Sequence, residues 1–91
     1  IIVHGTDTMC NTATVIANTL GPDFQKTVVL TGAMIPYSLE GSDAVFNLGC
    51  AVSAVQTLPP GVYITMSGRI FSWDNCHKNK EKGVFEATGE Q

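Results

Sequence analysis

The chain opens with Ile1-Ile2-Val3-His4-Gly5-Thr6-Asp7-Thr8-Met9, the stretch that decides its predicted fold. Three apolar β-formers lead into a polar turn with a glycine, which predicts a buried strand, a tight loop and a helix start. In an open α/β sheet, ligands bind where strand carboxyl ends meet the positive ends of helices. The Thr6 hydroxyl and the Asp7 carboxylate are therefore candidates for chemistry. The alternative is that Thr6, Asp7 and Thr8 only cap the helix, since both residue types are ordinary caps.

The next segments alternate helical and strand patterns. Apolar residues at helical spacing predict a first helix over residues 10–20, which Gly21-Pro22 ends. Residues 27–30 form a nearly continuous apolar run, typical of a strand buried on both faces. The strand-helix-strand order predicts parallel pairing with a right-handed crossover. The loop that begins at Thr31 then lies beside the loop that carries Thr6 and Asp7.

A second helix, capped by Ser42 or Asp43, is predicted to run to about residue 56. Its apolar face is predicted to comprise Val45, Leu48, Gly49, Val52 and Val55. The Pro59-Pro60 pair forbids its continuation, and a hairpin of strands 62–66 and 69–72 follows around Ser67-Gly68. We interpret 73–91 as a mostly irregular tail in which Trp73 and Phe85 anchor the chain to the body. Together these elements predict a three-layer α/β/α fold of the Rossmann or flavodoxin type, with a mostly parallel sheet and a C-terminal hairpin.

The composition limits the classes of function that fit this chain. Ninety-one residues with net charge −3 and 44% hydrophobic content suit one small domain, without a basic stripe for nucleic acid. Every apolar run is shorter than the ~20 residues of a membrane span. Three cysteines without a C-x-x-C pair argue against a disulfide framework and favour a reducing cytoplasm. The abrupt apolar start suggests a partial domain from a longer protein.

The opening stretch also carries a resemblance to a known family. Residues 4–9, His-Gly-Thr-Asp-Thr-Met, are the same as the second signature of bacterial-type L-asparaginases, the threonine amidohydrolases that convert asparagine to aspartate and ammonia. Segments 26–34, 42–48 and 61–78 resemble the family's following strand, helix start and hairpin, in the same order. The resemblance covers nearly the whole chain and is closest to the short single-domain members.

The resemblance implies a set of catalytic residues. In the family, the threonine matching Thr6 activates the attack or handles the water, and the aspartate matching Asp7 also holds the substrate's α-amino group. A lysine after the hairpin completes a relay, and the alignment places it at Lys78, with Lys80 as the rival. A hydroxyl, an amine and a carboxylate in hydrogen-bond sequence would form the relay Thr6 to Lys78 to Asp7.

The resemblance also implies a set of residues that bind the substrate. The expected substrate-binding residues are Gly5, Thr6, Asp7, Thr31 and Ala33, and no cofactor or metal is expected. His4, Cys10, Cys76 and His77 lack the spacing of zinc ligands, and His4 is better explained as a structural residue beneath the loop. For Asp43, a helix cap is preferred over a role in orienting the turn at Thr31.

The chain also departs from the family pattern. The family's first signature, Thr-Gly-Gly-Thr, carries the primary nucleophile and does not occur in these 91 residues. We therefore expect an asparaginase-like protein that holds half of an active site, acts on a small-molecule substrate and is a possible homo-oligomer. Two alternatives stay open: a non-catalytic module that binds an amino acid or anion at the helix terminus, or an inactive truncated fragment.

Overall fold

Two helices and a four-stranded sheet form the body of the chain, of which this computed structural model describes residues 1–88. The sheet has the order β1-β2-β3-β4, and a separate hairpin of β5 and β6 follows it. The elements are β1 (Ile2–Val3), α1 (Met9–Leu20), β2 (Thr27–Thr31), α2 (Ala44–Thr57), β3 (Gly61–Met66), β4 (Arg69–Ser72), β5 (His77–Asn79) and β6 (Val84–Glu86). Within residues 1–88, neither helix has the length and hydropathy needed to cross a bilayer.

The sheet has the predicted mixed topology. β1, β2 and β3 pair in parallel, with Val3 opposite Thr31, and β4 returns antiparallel to β3. The turn between β3 and β4 has positive φ at Ser67 (54°) and Gly68 (78°), the backbone form that matches the twist of a two-residue hairpin. The predicted hairpin over 62–72 is thus confirmed.

Each face of the sheet is covered by one helix. α1 buries Met9 and Ala13 against Leu30 and Ile64, whereas α2 buries Ala51 and Ala54 against the opposite face, around Val29. Leu30 and Val29 are neighbours on β2, and successive side chains of a strand point to opposite faces. The three-layer α/β/α fold predicted from sequence is confirmed.

The two helical crossovers have opposite hands. β1, β2 and β3 are parallel and lie in consecutive order, so two crossovers of the same hand would put both helices on one face. The helices instead lie on opposite faces, and one crossover is therefore left-handed. The general preference for right-handed crossovers cannot hold for both βαβ units of this chain.

The buried face of α2 differs from the prediction. Of the five residues assigned to that face, Val45, Leu48, Gly49 and Val52 are exposed and only Val55 is partly buried. The helix packs on the sheet through Ala51 and Ala54, with Asn47 buried beside them. Small side chains allow a close approach of helix to sheet, and the larger apolar residues are left on the outer surface. The predicted apolar face is wrong. The helix α2 has one stripe of large apolar residues and one of small residues, and helical periodicity alone does not show which stripe packs on the sheet.

The segment 73–91 is more ordered than predicted. Within it, β5 and β6 form an antiparallel hairpin in which Lys78 lies opposite Phe85. Phe85 is 4% exposed and belongs to the core, and Trp73 packs against that core, so the predicted anchoring role of both aromatics is confirmed. This hairpin was not predicted, because its strands are only three residues long and β5 lacks the alternation of apolar and polar residues that marks a strand. Residues 89–91 of the predicted tail lie outside the described residues.

Gly32 marks a close approach between two strand-end loops. A Cβ at this position would meet the carbonyl oxygen of His4, and it would lie 3.0 Å from the Cε of Met9. Only glycine therefore lets the chain that leaves β2 pass directly beside the chain that leaves β1. The two loops predicted to share the site are adjacent for this reason.

Candidate active site

The loop after β1 is held in place by its histidine. The His4 amide donates to the carbonyl of Thr31 at 2.8 Å, which extends the β1–β2 pairing by one residue. The His4 ring bonds the Gly5 carbonyl through Nδ1 at 2.7 Å and the Thr12 hydroxyl through Nε2 at 2.9 Å. His4 is thus a structural residue, as predicted, and it ties the loop to α1.

Lys78 contacts both Thr6 and Asp7. Its Nζ donates a hydrogen bond of 2.7 Å to the Thr6 hydroxyl and another of 2.7 Å to the Asp7 carboxylate. Thr8, at the N-cap of α1, makes no side-chain capping bond. The Thr6 and Asp7 side chains are therefore engaged by an amine 71 or more residues away rather than by the helix.

The second hairpin delivers Lys78 to this position. Residues directly opposite each other in an antiparallel pair project to the same face, so Lys78 shares a face with the core residue Phe85. Its side chain is only 14% exposed, whereas that of Asp7 is 72% exposed. Lys78 is thus anchored from the protein interior, and most of the Asp7 carboxylate is accessible to a ligand.

The charge state of Asp7 follows from this contact. The hydrogen bond from Lys78, with the positive charges of Lys78 and Lys80, holds the pKa of the Asp7 carboxyl below its usual range. Asp7 is therefore ionised at neutral pH. A carboxylate with a lowered pKa is a weak proton acceptor, which makes Asp7 a charge partner for Lys78 or for a substrate ammonium group.

We predict that Lys78→Met returns the pKa of Asp7 to its ordinary range, because this substitution removes the largest cause of the shift. The favourable Asp7–Lys78 interaction is fully present above the ordinary aspartate pKa and is lost as the pH falls through the lowered value. Carboxylate chemical shifts of Asp7, followed by NMR through an acid titration, measure both values. A smaller change is expected for the matched variant Lys80→Met. An ordinary pKa of Asp7 in the unsubstituted chain would contradict the hydrogen bond between Lys78 and Asp7.

The three residues line a polar cavity of about 240 Å³. Its wall comprises Thr6, Asp7, Cys10, Asn11, Cys76, His77, Lys78 and Lys80. Lys80, the rival of Lys78, therefore lies in the same wall and acts on Asp7 through its charge. A larger cavity of about 350 Å³ lies at the amino end of β3, around Phe24 and Trp73, and no titratable side chain lines it. The smaller cavity is therefore the better candidate for an active site, because titratable side chains line it.

Thr31 and Ala33 line a different, mostly apolar cavity of about 350 Å³, together with Val3, Tyr37 and Leu48. The Thr31 hydroxyl is buried and donates to the Thr65 carbonyl at 2.8 Å. The structure therefore brings Thr6, Asp7 and Lys78 together, with Gly5 in the same loop, but it keeps Thr31 and Ala33 in a neighbouring cavity. Their substrate-binding role stays a prediction.

The half-buried Asp43 and the buried Asn47 support the loop that contains Ala33. The Asp43 carboxylate accepts hydrogen bonds from the Met34 amide (3.0 Å) and the Ile35 amide (2.9 Å), and it makes no side-chain cap to α2. The preferred capping role of Asp43 was therefore wrong. The Asp43 carboxylate also accepts a bond from the amide of Asn47 at 2.9 Å. Desolvation raises the pKa of Asp43, but the hydrogen bonds from these partners and from its own backbone amide together lower it below its ordinary value.

Asn47 was not among the residues predicted from the sequence, and it is fully buried. Its amide nitrogen donates to the Gly32 carbonyl at 2.9 Å, and its amide oxygen accepts from the Ser67 amide at 3.0 Å. It thereby joins α2, the β2 loop and the β3–β4 turn. The sequence signal was an Asp and an Asn four residues apart at the start of an apolar helix. Within residues 1–88, no group of three or more His, Cys, Asp or Glu side chains is arranged to hold a metal.

Comparison with known proteins identifies a family relationship. Residues 1–87 match the family model described as Asparaginase, N-terminal. An L-asparaginase from Thermococcus kodakarensis is 35% identical over 85 residues, which cover 92% of this chain and 25% of that protein. The 60 kDa lysophospholipase of Homo sapiens is 35% identical over 79 residues, which cover 86% of this chain and 14% of that protein. The chain thus spans a quarter or less of the length of these relatives.

Solved structures show the same arrangement of elements. The thermostable L-asparaginase from Thermococcus kodakarensis superposes with a TM-score of 0.84 and 28% identity, over 99% of this chain and 28% of that one. A probable cytoplasmic L-asparaginase from Campylobacter jejuni gives a TM-score of 0.74 and 36% identity, over 85% of this chain and 25% of that one.

Proposed function

This chain belongs to the asparaginase family, whose N-terminal domain it matches, and from that premise we propose that it supplies the relay of an amidohydrolase. The relay comprises Thr6, Lys78 and Asp7, and the reaction releases ammonia from L-asparagine or a related amide. The observation that carries the proposal is the pair of 2.7 Å hydrogen bonds from one lysine to a hydroxyl and a carboxylate. That contact joins residues far apart in sequence at the end of a parallel strand, where α/β proteins bind ligands.

Each residue has a distinct role in this proposal. Thr6 accepts a hydrogen bond from Lys78, so its own hydroxyl proton is free to meet a water or a substrate atom. Lys78 takes part as the neutral amine: its Nζ, 2.7 Å from the Thr6 hydroxyl, accepts the proton that Thr6 gives up and becomes the ammonium whose charge the Asp7 carboxylate balances. Asp7 fixes the orientation of Lys78 and receives the substrate's α-ammonium group on its exposed carboxylate.

The proposal assigns the primary nucleophile to a segment other than these 91 residues, which contain no Thr-Gly-Gly-Thr motif. Threonine attack on the amide carbon, formation of an acyl intermediate and loss of ammonia would take place across the 240 Å³ cavity. The half-site in this chain would then handle the water that releases the acid.

Substrate, location and assembly are also proposals. Relatives of this segment include proteins named for a lysophospholipid and for asparagine, so the segment alone does not identify the substrate. Three free thiols support a cytoplasmic location, as does the similarity to the probable cytoplasmic L-asparaginase of Campylobacter jejuni. The exposed apolar residues Val45, Leu48 and Val52 of α2 support a contact with another chain or segment, as in a homo-oligomer.

A chimera tests the function directly. These 91 residues would replace the matching segment of the Thermococcus kodakarensis L-asparaginase, which shares the fold over 99% of this chain. We expect the chimera to release ammonia from L-asparagine, and the 91-residue chain alone to release none. A Thr6→Val chimera, shown by circular dichroism to melt at the same temperature, is the control for background hydrolysis.

Other results would favour the alternatives. A folded chimera that binds L-asparagine in calorimetry but releases no ammonia would indicate a binding module. Ammonia release by the 91-residue chain alone would contradict the assignment of the nucleophile to another segment. Absence of a cooperative melt in the chain alone would favour an incomplete folding unit.

A further inference from the structure

Two cysteines outside the relay lie in one cavity wall and in one packed cluster. Cys10, the second residue of α1, and Cys76, just before β5, lie close enough for a hydrogen bond between their thiols to shift the pKa of each. Both are free, and both line the 240 Å³ cavity with Thr6, Asp7 and Lys78. Cys76 is 9% exposed in the core cluster, and Cys10 is half-buried against it. The cavity therefore gives a small solute access to a preformed pair of thiols.

The hydrogen bond makes the two thiols chemically unequal. It lowers the pKa of Cys10 because the Cys76 thiol donates to the Cys10 sulfur and stabilises its thiolate. The same bond, together with burial, raises the pKa of Cys76, which keeps its proton. Thiolates are the form of cysteine that reacts with oxidants, so Cys10 is the reactive member and Cys76 the resolving member.

We propose that Cys10 and Cys76 are a redox modification site, which hydrogen peroxide converts to an intramolecular disulfide in the wall of the candidate active site. The inference rests on the placement of both thiols in one packed cluster and in the wall of one accessible cavity, and it does not depend on the proposed hydrolase function.

The reaction balances with peroxide as the only oxidant. The Cys10 thiolate attacks one peroxide oxygen, the O–O bond breaks, and the leaving hydroxide takes a proton to become water. The resulting sulfenic acid of Cys10 is then attacked by the Cys76 sulfur, which loses its proton, forms the S–S bond and expels a second water. The two thiols are oxidised by two electrons, and both peroxide oxygens are reduced. A small thiol such as reduced glutathione reverses the modification by exchange.

The position of the bond gives it a structural effect. Cys10 follows Asp7 by three residues, and Cys76 precedes Lys78 by two. A disulfide would therefore fasten the start of α1 to the strand that carries the relay lysine, and would close a long loop of the unfolded chain. The oxidised protein should melt at a higher temperature than the reduced one.

The test uses the full chain carrying Cys50→Ser, which removes the third cysteine and leaves the pair intact. After treatment with hydrogen peroxide, we expect the intact mass to fall by two hydrogens and peptide mapping to join Cys10 to Cys76. Native protein should form the bond roughly tenfold or more faster than protein unfolded in guanidinium chloride, because only the folded state holds the thiols together. Dithiothreitol should restore the mass and lower the melting temperature to that of the reduced protein.

A second variant distinguishes the roles of the two thiols. In Cys50→Ser/Cys76→Ser, Cys10 should accumulate as a sulfenic acid that a dimedone probe traps, whereas Cys50→Ser/Cys10→Ser should react little. Disulfides between chains, oxidation of Cys10 to a sulfinic acid in the intact pair, or equal rates in native and unfolded protein would each overturn the proposal. Because Cys50→Ser alone decides whether the disulfide forms, the proposal stays testable if a Cys10 or Cys76 variant does not fold.

Discussion

Replacing Lys78 by methionine in the chimera is expected to lower kcat for ammonia release from L-asparagine by about 10³-fold. Methionine preserves most of the aliphatic side chain but removes the ammonium group that bonds Thr6 and Asp7. The KM should change much less, since Lys78 is 14% exposed and acts on the relay rather than at the cavity mouth. Steady-state kinetics with a coupled ammonia assay measure both constants.

Lys80→Met is the matched control for this prediction. Lys80 lines the same cavity and is the nearest sequence alternative, but its effect on Asp7 is through charge alone. We expect its kcat to stay within a few-fold of the unsubstituted chimera. A large loss in Lys80→Met with an active Lys78→Met would reverse the assignment of the relay lysine.

The relay also predicts non-additive effects. Thr6→Val and Lys78→Met disable the same proton path, so the double variant should lose little more activity than the more impaired single variant. Independent contributions, in which the two losses multiply, would show that the 2.7 Å contact between Thr6 and Lys78 is not part of the reaction.

Replacing Asn47 by leucine is expected to reduce the free energy of unfolding by about 3–4 kcal/mol. Leucine has the same number of side-chain heavy atoms and the same branching as asparagine, but it leaves the buried Gly32 carbonyl and the Ser67 amide without the partner that Asn47 supplies. It also removes the amide that donates to the Asp43 carboxylate. Urea denaturation followed by circular dichroism measures the change from the midpoint at constant slope.

Gln56→Leu is the matched control on the same helix. Gln56 is exposed, and its amide donates to the Val52 carbonyl of the preceding turn. The same chemical change should therefore alter stability by no more than about 0.5 kcal/mol. Similar effects of both substitutions would show that Asn47 does not bridge the loop and the turn as described.

Much of the fold could be predicted from local patterns. The apolar runs of β2 and β3 and the Ser67-Gly68 turn are short-range signals, because strand burial and turn geometry depend on adjacent residues. The face of α2 could not be predicted in the same way. Val45, Leu48 and Val52 form a more apolar stripe than Ala51 and Ala54, yet the small stripe packs on the sheet because it allows the helix to come closer.

The residues of the candidate site also differ in whether local sequence patterns could predict them. Thr6 and Asp7 follow a strand and precede a helix, so their place at the sheet edge follows from sequence and elementary rules. Lys78 lies in a short polar strand with no pattern of its own, and only the family resemblance selected it over Lys80. The signal for Asn47 was only its spacing of four residues from Asp43, and the Cys10–Cys76 pair had none, because Gly32, Ser67 and the second cysteine lie 15 to 66 residues away in the chain.

The sequence by itself determined the two helices, the strands β1 to β4, and the loop that presents a hydroxyl beside a carboxylate. Periodicity and turn chemistry are properties of neighbouring residues and need no knowledge of the rest of the chain. Only the tertiary structure decided the face of α2, the opposite hands of the two crossovers and the arrival of Lys78 at Thr6 and Asp7. These features depend on which distant surfaces pack together, since burial of Phe85 in the core is what directs β5 and its lysine to the first loop.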